Sequence, residues 1–272
     1  MTPTMPNTTT PVDLKALIEQ DQLLVAVDFA KRLSEGHPDR VLVEEHSQHI
    51  ASRDAYHDYY ATMRGAPCPE DLVFRRHEQV KRFAVIRQRI LDRKHKTVLD
   101  LGCLDGWCLL NLAASGITGV GVDLCEEALA VGRERAKKWG FGLTFLKCPI
   151  EDLVLDLWSG MDAYSGPLIF DAVILSEVLE HVLDPAACFR TAVKHLAPGG
   201  IVYVSVPATP IPHHGKLEDA REHLRIWTED DLVALAKDAG LHRVVDHELI
   251  HEEDQGQKFA NRTISFRRAT FT

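Results

Sequence analysis

From residue 97 onward the apolar positions switch repeatedly between two periods. Short, nearly continuous apolar runs predict strands at 97–102, 118–123, 142–147, 169–175, 200–206, 242–249 and 261–267. Between them, apolar residues recurring every three or four positions predict helices at 107–115, 125–139, 185–196 and 228–239. Strands that alternate with helices demand a mostly parallel sheet covered on both faces. The last two strands are joined by a loop instead of a helix, which calls for a closing hairpin and an antiparallel final strand.

The preceding chain has a different pattern. Residues 1–11 are rich in Thr and Pro and read as a disordered tail. Residues 12–70 are helical in pattern (Leu14, Leu17 and Ile18, then Leu24, Val25 and Phe29), broken at Gly36-His37-Pro38 and ending in a turn around 65–69. This extension is read as a cap or as the contact of a homodimer; its His- and Tyr-rich part, 46–60, is alternatively a wall of a substrate pocket. Residues 71–96 predict a helix with Val80, Phe83, Ile86 and Ile90 inward. Its other face carries Arg75, Arg76, Lys81, Arg82, Arg87, Arg89, Arg93, Lys94 and Lys96. Such a stripe either binds phosphate or RNA, or is a solvated face balanced by acids elsewhere.

Composition narrows the choices. The chain has 272 residues, 45% of them hydrophobic, enough for one sizeable core and an appendage. No apolar run approaches a membrane span. Six cysteines without a Cys-x-x-Cys pair point to buried thiols in a reduced, cytoplasmic setting. A net charge of −9 argues against general affinity for nucleic acid.

The chemistry begins at VLDLGCLDG (98–106), an apolar strand running into a turn with two glycines and then a helix. Gly102 and Gly106 let the backbone bend and approach a ligand, and the helix after them turns its first N–H groups toward it. The strand GVGVD (119–123) ends in Asp123, an acid placed for ribose hydroxyls. Two more blocks come in order, FDAVILSEVLEHVLDP (170–185) and HLAPGGIVYVSVP (195–207).

Together these blocks resemble the class I S-adenosylmethionine-dependent methyltransferases over roughly residues 75–268. The resemblance implies an α/β, Rossmann-like, seven-stranded and mostly parallel sheet with an antiparallel last strand, in a domain spanning 71–272. It also implies S-adenosylmethionine as cosubstrate, with Asp100, Gly102, Cys103 and Gly106 along its methionine part, Asp123 on the ribose, and Leu124, Ile150 and Glu151 along the adenine. Ser176 completes this set. Leu104 stands where the loop commonly has a glycine, and Pro149 where an acid often faces the adenine.

In Ser176-Glu177-Val178-Leu179-Glu180-His181, a helix would place Glu177, Glu180 and His181 on one face. Two carboxylates and an imidazole make a reasonable site for a divalent metal, Mg or Zn, with His213, His214 or His223 as a further ligand. The pattern continues in EHLRIW (222–227) and is similar to the ubiquinone-biosynthesis O-methyltransferases and the small-RNA 2′-O-methyltransferases, which favours His223. The alternative is a helix start whose carboxylates serve its N-terminus. Catalytic candidates are His181, Glu177 and His223, with segment 207–227 covering the site. The expected function is methyl transfer to a hydroxyl of a small molecule such as a phenol or sugar. Alternatives are RNA 2′-O-methylation and a non-catalytic cosubstrate-binding module.

Overall fold

The computed structural model describes residues 67–75, 80–153, 155, 169–208, 227–244, 246–254 and 257–268. The expectations for the tail, for the extension through residue 66 and dimerisation through it, and for most of the covering segment 207–227 lie outside these residues.

Helix α1 (Lys81–Asp92) leads into strand β1 (Thr97–Leu101), then α2 (Trp107–Ala113), β2 (Thr118–Asp123), α3 (Glu126–Trp139) and β3 (Leu143–Lys147). Further along come β4 (Phe170–Ser176), α4 (Pro185–Lys194), β5 (Leu196–Pro207), α5 (Glu229–Asp238), β6 (Leu241–Arg243), β7 (Glu248–Asp254) and β8 (Gln257–Arg268). The sheet order is β3-β2-β1-β4-β5-β8-β6, with β7 also on β8. The first five strands are parallel, and β8 runs antiparallel to its neighbours.

Because β1 and β4 are central and parallel, they are buried on both faces, which is why their sequences read as continuous apolar runs. On one face Phe83, Ile86 and Ile90 of α1, Leu109 of α2 and Leu129 of α3 pack against Val98, Ile174 and Tyr203. On the other, Phe189 of α4 and Leu232 of α5 pack against Leu99, Val204 and Phe266. Local signals set the helix ends: Asp184 accepts the Ala187 N–H ahead of Pro185 in α4, and Thr228 and Asp231 form a capping box on α5.

Two expectations change. Among the described residues of the helix predicted over 71–96, the α-helix covers 81–92; residues Glu70–Leu72 form a 3-10 turn instead, and Val80 lies just outside the helix. The strand predicted at 242–249 is two strands, making an eight-stranded sheet. The break falls where Asp246 meets Arg93 at 2.6 Å and His247 meets Glu229 at 3.2 Å, so side-chain pairing replaces the ladder. All six cysteines are free and buried, and no described helix is long and apolar enough to cross a membrane.

Candidate active site

A cavity of about 340 Å³ opens at the C-terminal ends of β1, β2 and β4, where open α/β sheets bind ligands. The turn after β1 forms its floor. Gly102 and Cys103 both donate their N–H to the Val122 carbonyl, at 2.8 and 3.0 Å, folding the turn over β2. Gly102 has φ +80°, and a Cβ there would lie 2.4 Å from Val178 Cγ2. Leu104 is also left-handed, with φ 51°, and its N–H donates to Asp123 Oδ2 at 2.7 Å. A left-handed conformation here is one that glycine adopts without strain and leucine does not. Gly106 does not line the cavity; it caps α2 with φ +68°, and a Cβ there would meet Phe145 at 2.2 Å.

Asp100, Gly102, Cys103, Asp123, Leu124, Ile150, Glu151 and Ser176 all line this cavity, together with Glu177 and His181. The carboxylates carry an unusual load. Burial, reinforced by the charge of Asp123, pushes the Asp100 carboxyl up to about 7, and Asp100 Oδ2 has no partner among the described residues. Asp123 is likewise raised by burial, although the N–H groups of Cys125 and Leu104 pull it back. The Cys103 thiol is driven well above its ordinary value by burial and by the neighbouring acids, which favours the protonated thiol.

The segment leaving β4 is not the predicted helix. Residues 177–181 form a turn, with Glu177 left-handed at φ 56° and His181 N–H donating to Val178 O at 2.9 Å. Two bonds from β5 hold Glu177 there. Its N–H donates to Ser205 O at 2.8 Å, and its Oε1 accepts from Ser205 Oγ at 2.5 Å. Arg82 Nε lies 3.5 Å from the same oxygen, and Ser176 Oγ lies 3.1 Å from Ser205 Oγ. Glu180 is buried and is not a lining residue; its Oε1 is 3.8 Å from His181 Nε2. The turn therefore replaces the single helical face on which the three residues were expected, with Glu177 and His181 lining the cavity and Glu180 buried beside the His181 ring. Among the described residues no three His, Cys, Asp or Glu side chains are placed to share a metal ion. His213, His214 and His223 lie outside the described residues.

Sequence reasoning missed the wall made by Val80 with Arg82 and Phe83 of α1 and Trp107 and Cys108 of α2. The rings of Phe83 and Trp107 meet edge to face at 4.6 Å. Nothing in its spacing set Arg82 apart from the rest of the basic stripe. Much of that stripe is committed internally: Arg87 binds Asn111 and Ser115, while Arg89 and Arg93 pair with Asp246.

A family model described as a methyltransferase domain matches residues 74–246. The ubiquinone biosynthesis O-methyltransferase of Vibrio parahaemolyticus is 36% identical over 110 residues, 40% of this chain and 43% of that protein. Its Vibrio cholerae counterpart is 29% identical over 161 residues, 58% of this chain and 62% of its own length. The chain thus spans about half the length of these curated relatives. Among solved structures, an S-adenosylmethionine-dependent methyltransferase from Clostridium acetobutylicum matches with a TM-score of 0.56 at 15% identity, covering 70% of this chain and 92% of its own. The N-methyltransferase NodS of Bradyrhizobium japonicum, in complex with S-adenosyl-L-homocysteine, matches at 0.53 and 17%, covering 78% and 96%. At these identities the two structures share the fold with this chain.

Proposed function

The chain belongs to the methyltransferase domain family, and from that premise we propose that it transfers the methyl group of S-adenosylmethionine to a hydroxyl of a small-molecule acceptor. The observation that carries the cosubstrate is a pair of acids lining one cavity at adjacent strand ends, buried Asp100 and half-buried Asp123, the first with an oxygen unpaired among the described residues. A buried carboxylate without a partner is costly unless a ligand donates to it. The ammonium of a methionine group would satisfy Asp100, and the ribose hydroxyls would donate to Asp123. Leu124 and Ile150 offer an apolar wall for adenine. Arg82 is the guanidinium on the cavity wall and suits the methionine carboxylate.

When bound, the cosubstrate supplies an electrophilic sulfonium methyl for in-line displacement. The protein's contribution is to hold acceptor and donor together and to keep water out, as the apolar wall of Val80, Phe83 and Trp107 does. A hydroxyl acceptor must also lose its proton. Glu177 and His181 line the same cavity as the two acids, which supports either as the group that takes it. Ser205 fixes the Glu177 carboxylate, and Glu180 stands beside the His181 ring. Magnesium or zinc assistance would need Glu177, Glu180, His181 and His223 around one ion. Because Glu177 is engaged by Ser205 and Glu180 is buried out of the cavity lining, we assign no step to a metal. The internal pairing of Arg87, Arg89 and Arg93 supports a small-molecule acceptor over RNA.

Titration calorimetry with S-adenosylhomocysteine tests the cosubstrate assignment. Asp123→Ala removes the ribose acceptor and the anchor of Leu104 together, and the affinity should fall about a hundredfold, the size of two lost charge-assisted hydrogen bonds. Unchanged affinity overturns it. With a panel of small hydroxyl- and amine-bearing acceptors, methyl incorporation should go to the hydroxyl; incorporation into amines alone overturns the acceptor class.

A further inference from the structure

We propose that Asp105 and Arg135 are positioning residues for the turn after β1, locking residues 68–75 to its back so that docking of this segment and binding of the cosubstrate reinforce each other. The proposal rests on the cosubstrate assignment above. Asp105 comes directly after Leu104, yet its side chain is wholly buried and does not line the cavity. Its Oδ2 accepts from the Cys68 N–H at 2.8 Å and from Arg135 Nη1 at 2.9 Å. Arg135 Nη2 in turn donates to the Cys68 carbonyl at 2.5 Å. One buried ion pair therefore satisfies both main-chain groups of Cys68, while Asp105 Oδ1 accepts from the N–H of the cavity residue Trp107 at 3.4 Å.

The neighbourhood is built for this contact. α3 comes close enough to offer Arg135 because Gly132 faces the turn: a Cβ there would lie 3.0 Å from Asp105 O and 3.1 Å from Phe145. The far end of the segment is fastened separately. Buried Asn111 donates to the carbonyls of Val73 and Phe74 at 3.0 Å each, and Phe74 packs on Trp139 with ring centroids 4.6 Å apart. Lys138 also pairs with Glu70.

A buried ion pair adds little net stability over an apolar pair of the same shape. What it provides is a fixed geometry, and here it fixes Cys68 against the turn. Leu104 is held from the cavity side by Asp123, and Asp105 is held from the opposite side by Arg135 and Cys68. Successive residues of one strained turn cannot move independently, so the two grips are linked. By reciprocity, whatever tightens one tightens the other.

Hydrogen exchange of the full chain, with and without S-adenosylhomocysteine, reads the coupling directly. Amides of residues 68–75 should gain protection when the ligand binds. Arg135→Lys keeps a positive charge opposite Asp105 but replaces the two fixed guanidinium nitrogens, one on Asp105 and one on the Cys68 carbonyl, with one compact ammonium on a flexible stem. In this variant the segment should exchange faster and the ligand Kd should rise about fivefold or more, while amides of β4 and β5 exchange as before. Arg135→Gln, which also strands the Asp105 charge, should show the larger effect if it folds. An unchanged Kd in a variant whose segment exchanges faster overturns the proposal alone, as does a segment indifferent to both ligand and substitution. A native chain that binds neither S-adenosylmethionine nor S-adenosylhomocysteine overturns the cosubstrate assignment and the coupling with it.

Discussion

The turns that leave β1 and β4 stand on neighbouring strands, and each holds a non-glycine residue in the left-handed region, Leu104 at φ 51° and Glu177 at φ 56°. Each such residue costs about 1–2 kcal/mol of backbone strain, and each is pinned through its N–H by the strand beyond: Leu104 by Asp123 of β2, Glu177 by Ser205 of β5. The two turns continue differently. The first runs at once into α2 and presents its backbone beside buried Asp100 and half-buried Asp123. The second stays irregular until α4 begins at Pro185, and it presents the side chains of Glu177 and His181. Strain of this kind persists only where surrounding contacts over-determine it. In the first turn it shapes the floor of the cavity, and in the second it sets Glu177 on the cavity wall.

If the first turn carries the electrostatic load, its acids should dominate the stability of the unliganded chain. The Asp100 carboxyl rises from 3.8 to about 7 on folding. The folded chain therefore holds a proton that the unfolded chain releases, and stability should decline as pH climbs from about 4 to about 7 and then level off. A rise of that size corresponds to on the order of 4 kcal/mol. Urea denaturation across this range should show the slope, and Asp100→Asn should flatten it; a slope that survives the substitution shows that the load lies elsewhere. A ligand ammonium prefers the ionised carboxylate, so cosubstrate affinity should rise through the same window.

The second turn should respond in turnover instead. Ser205→Ala frees the Glu177 carboxylate and should lower kcat about tenfold, the size of one hydrogen bond to a charged group, with cosubstrate affinity unchanged. Ser205→Thr, which keeps the hydroxyl, should recover most of the rate. Equal losses of affinity and rate in Ser205→Ala would erase the division between the two turns.

The smallest effect belongs to Leu104. Leu104→Gly relieves the strain but loses about as much through unfolded-chain entropy. Thermal denaturation should place the variant within about 0.5 kcal/mol of the native chain. A loss well beyond that would mean that the Leu104 side chain, which lines the cavity, packs for more than the strain it causes.

Most of the scaffold is legible in the chain itself. The continuous apolar runs of β1 and β4, the three-and-four spacing on α1, the Asp184-Pro185 start of α4 and the Thr228 start of α5 are short-range patterns, and each records how a residue sits relative to its own element. The turn after β1 and Asp123 belong to the same class, because a strand-turn-helix unit is written in consecutive residues. The Glu177–His181 stretch misleads for a related reason: its three- and four-residue spacing fits a helix, but Ser205, 28 positions away, offers Glu177 a better-bonded turn.

By itself, then, the sequence determined the order of the strands and helices, their buried faces and the floor of the cavity. Tertiary structure alone decided that Arg82 faces Glu177, that Ser205 grips it, that Asp105 turns away from the ligand to hold Cys68, and that the last edge strand breaks at Asp246. Those pairings join residues distant along the chain. Burial periodicity specifies only which face a side chain takes, while its partner there is set by the order in which the sheet brings the strands together.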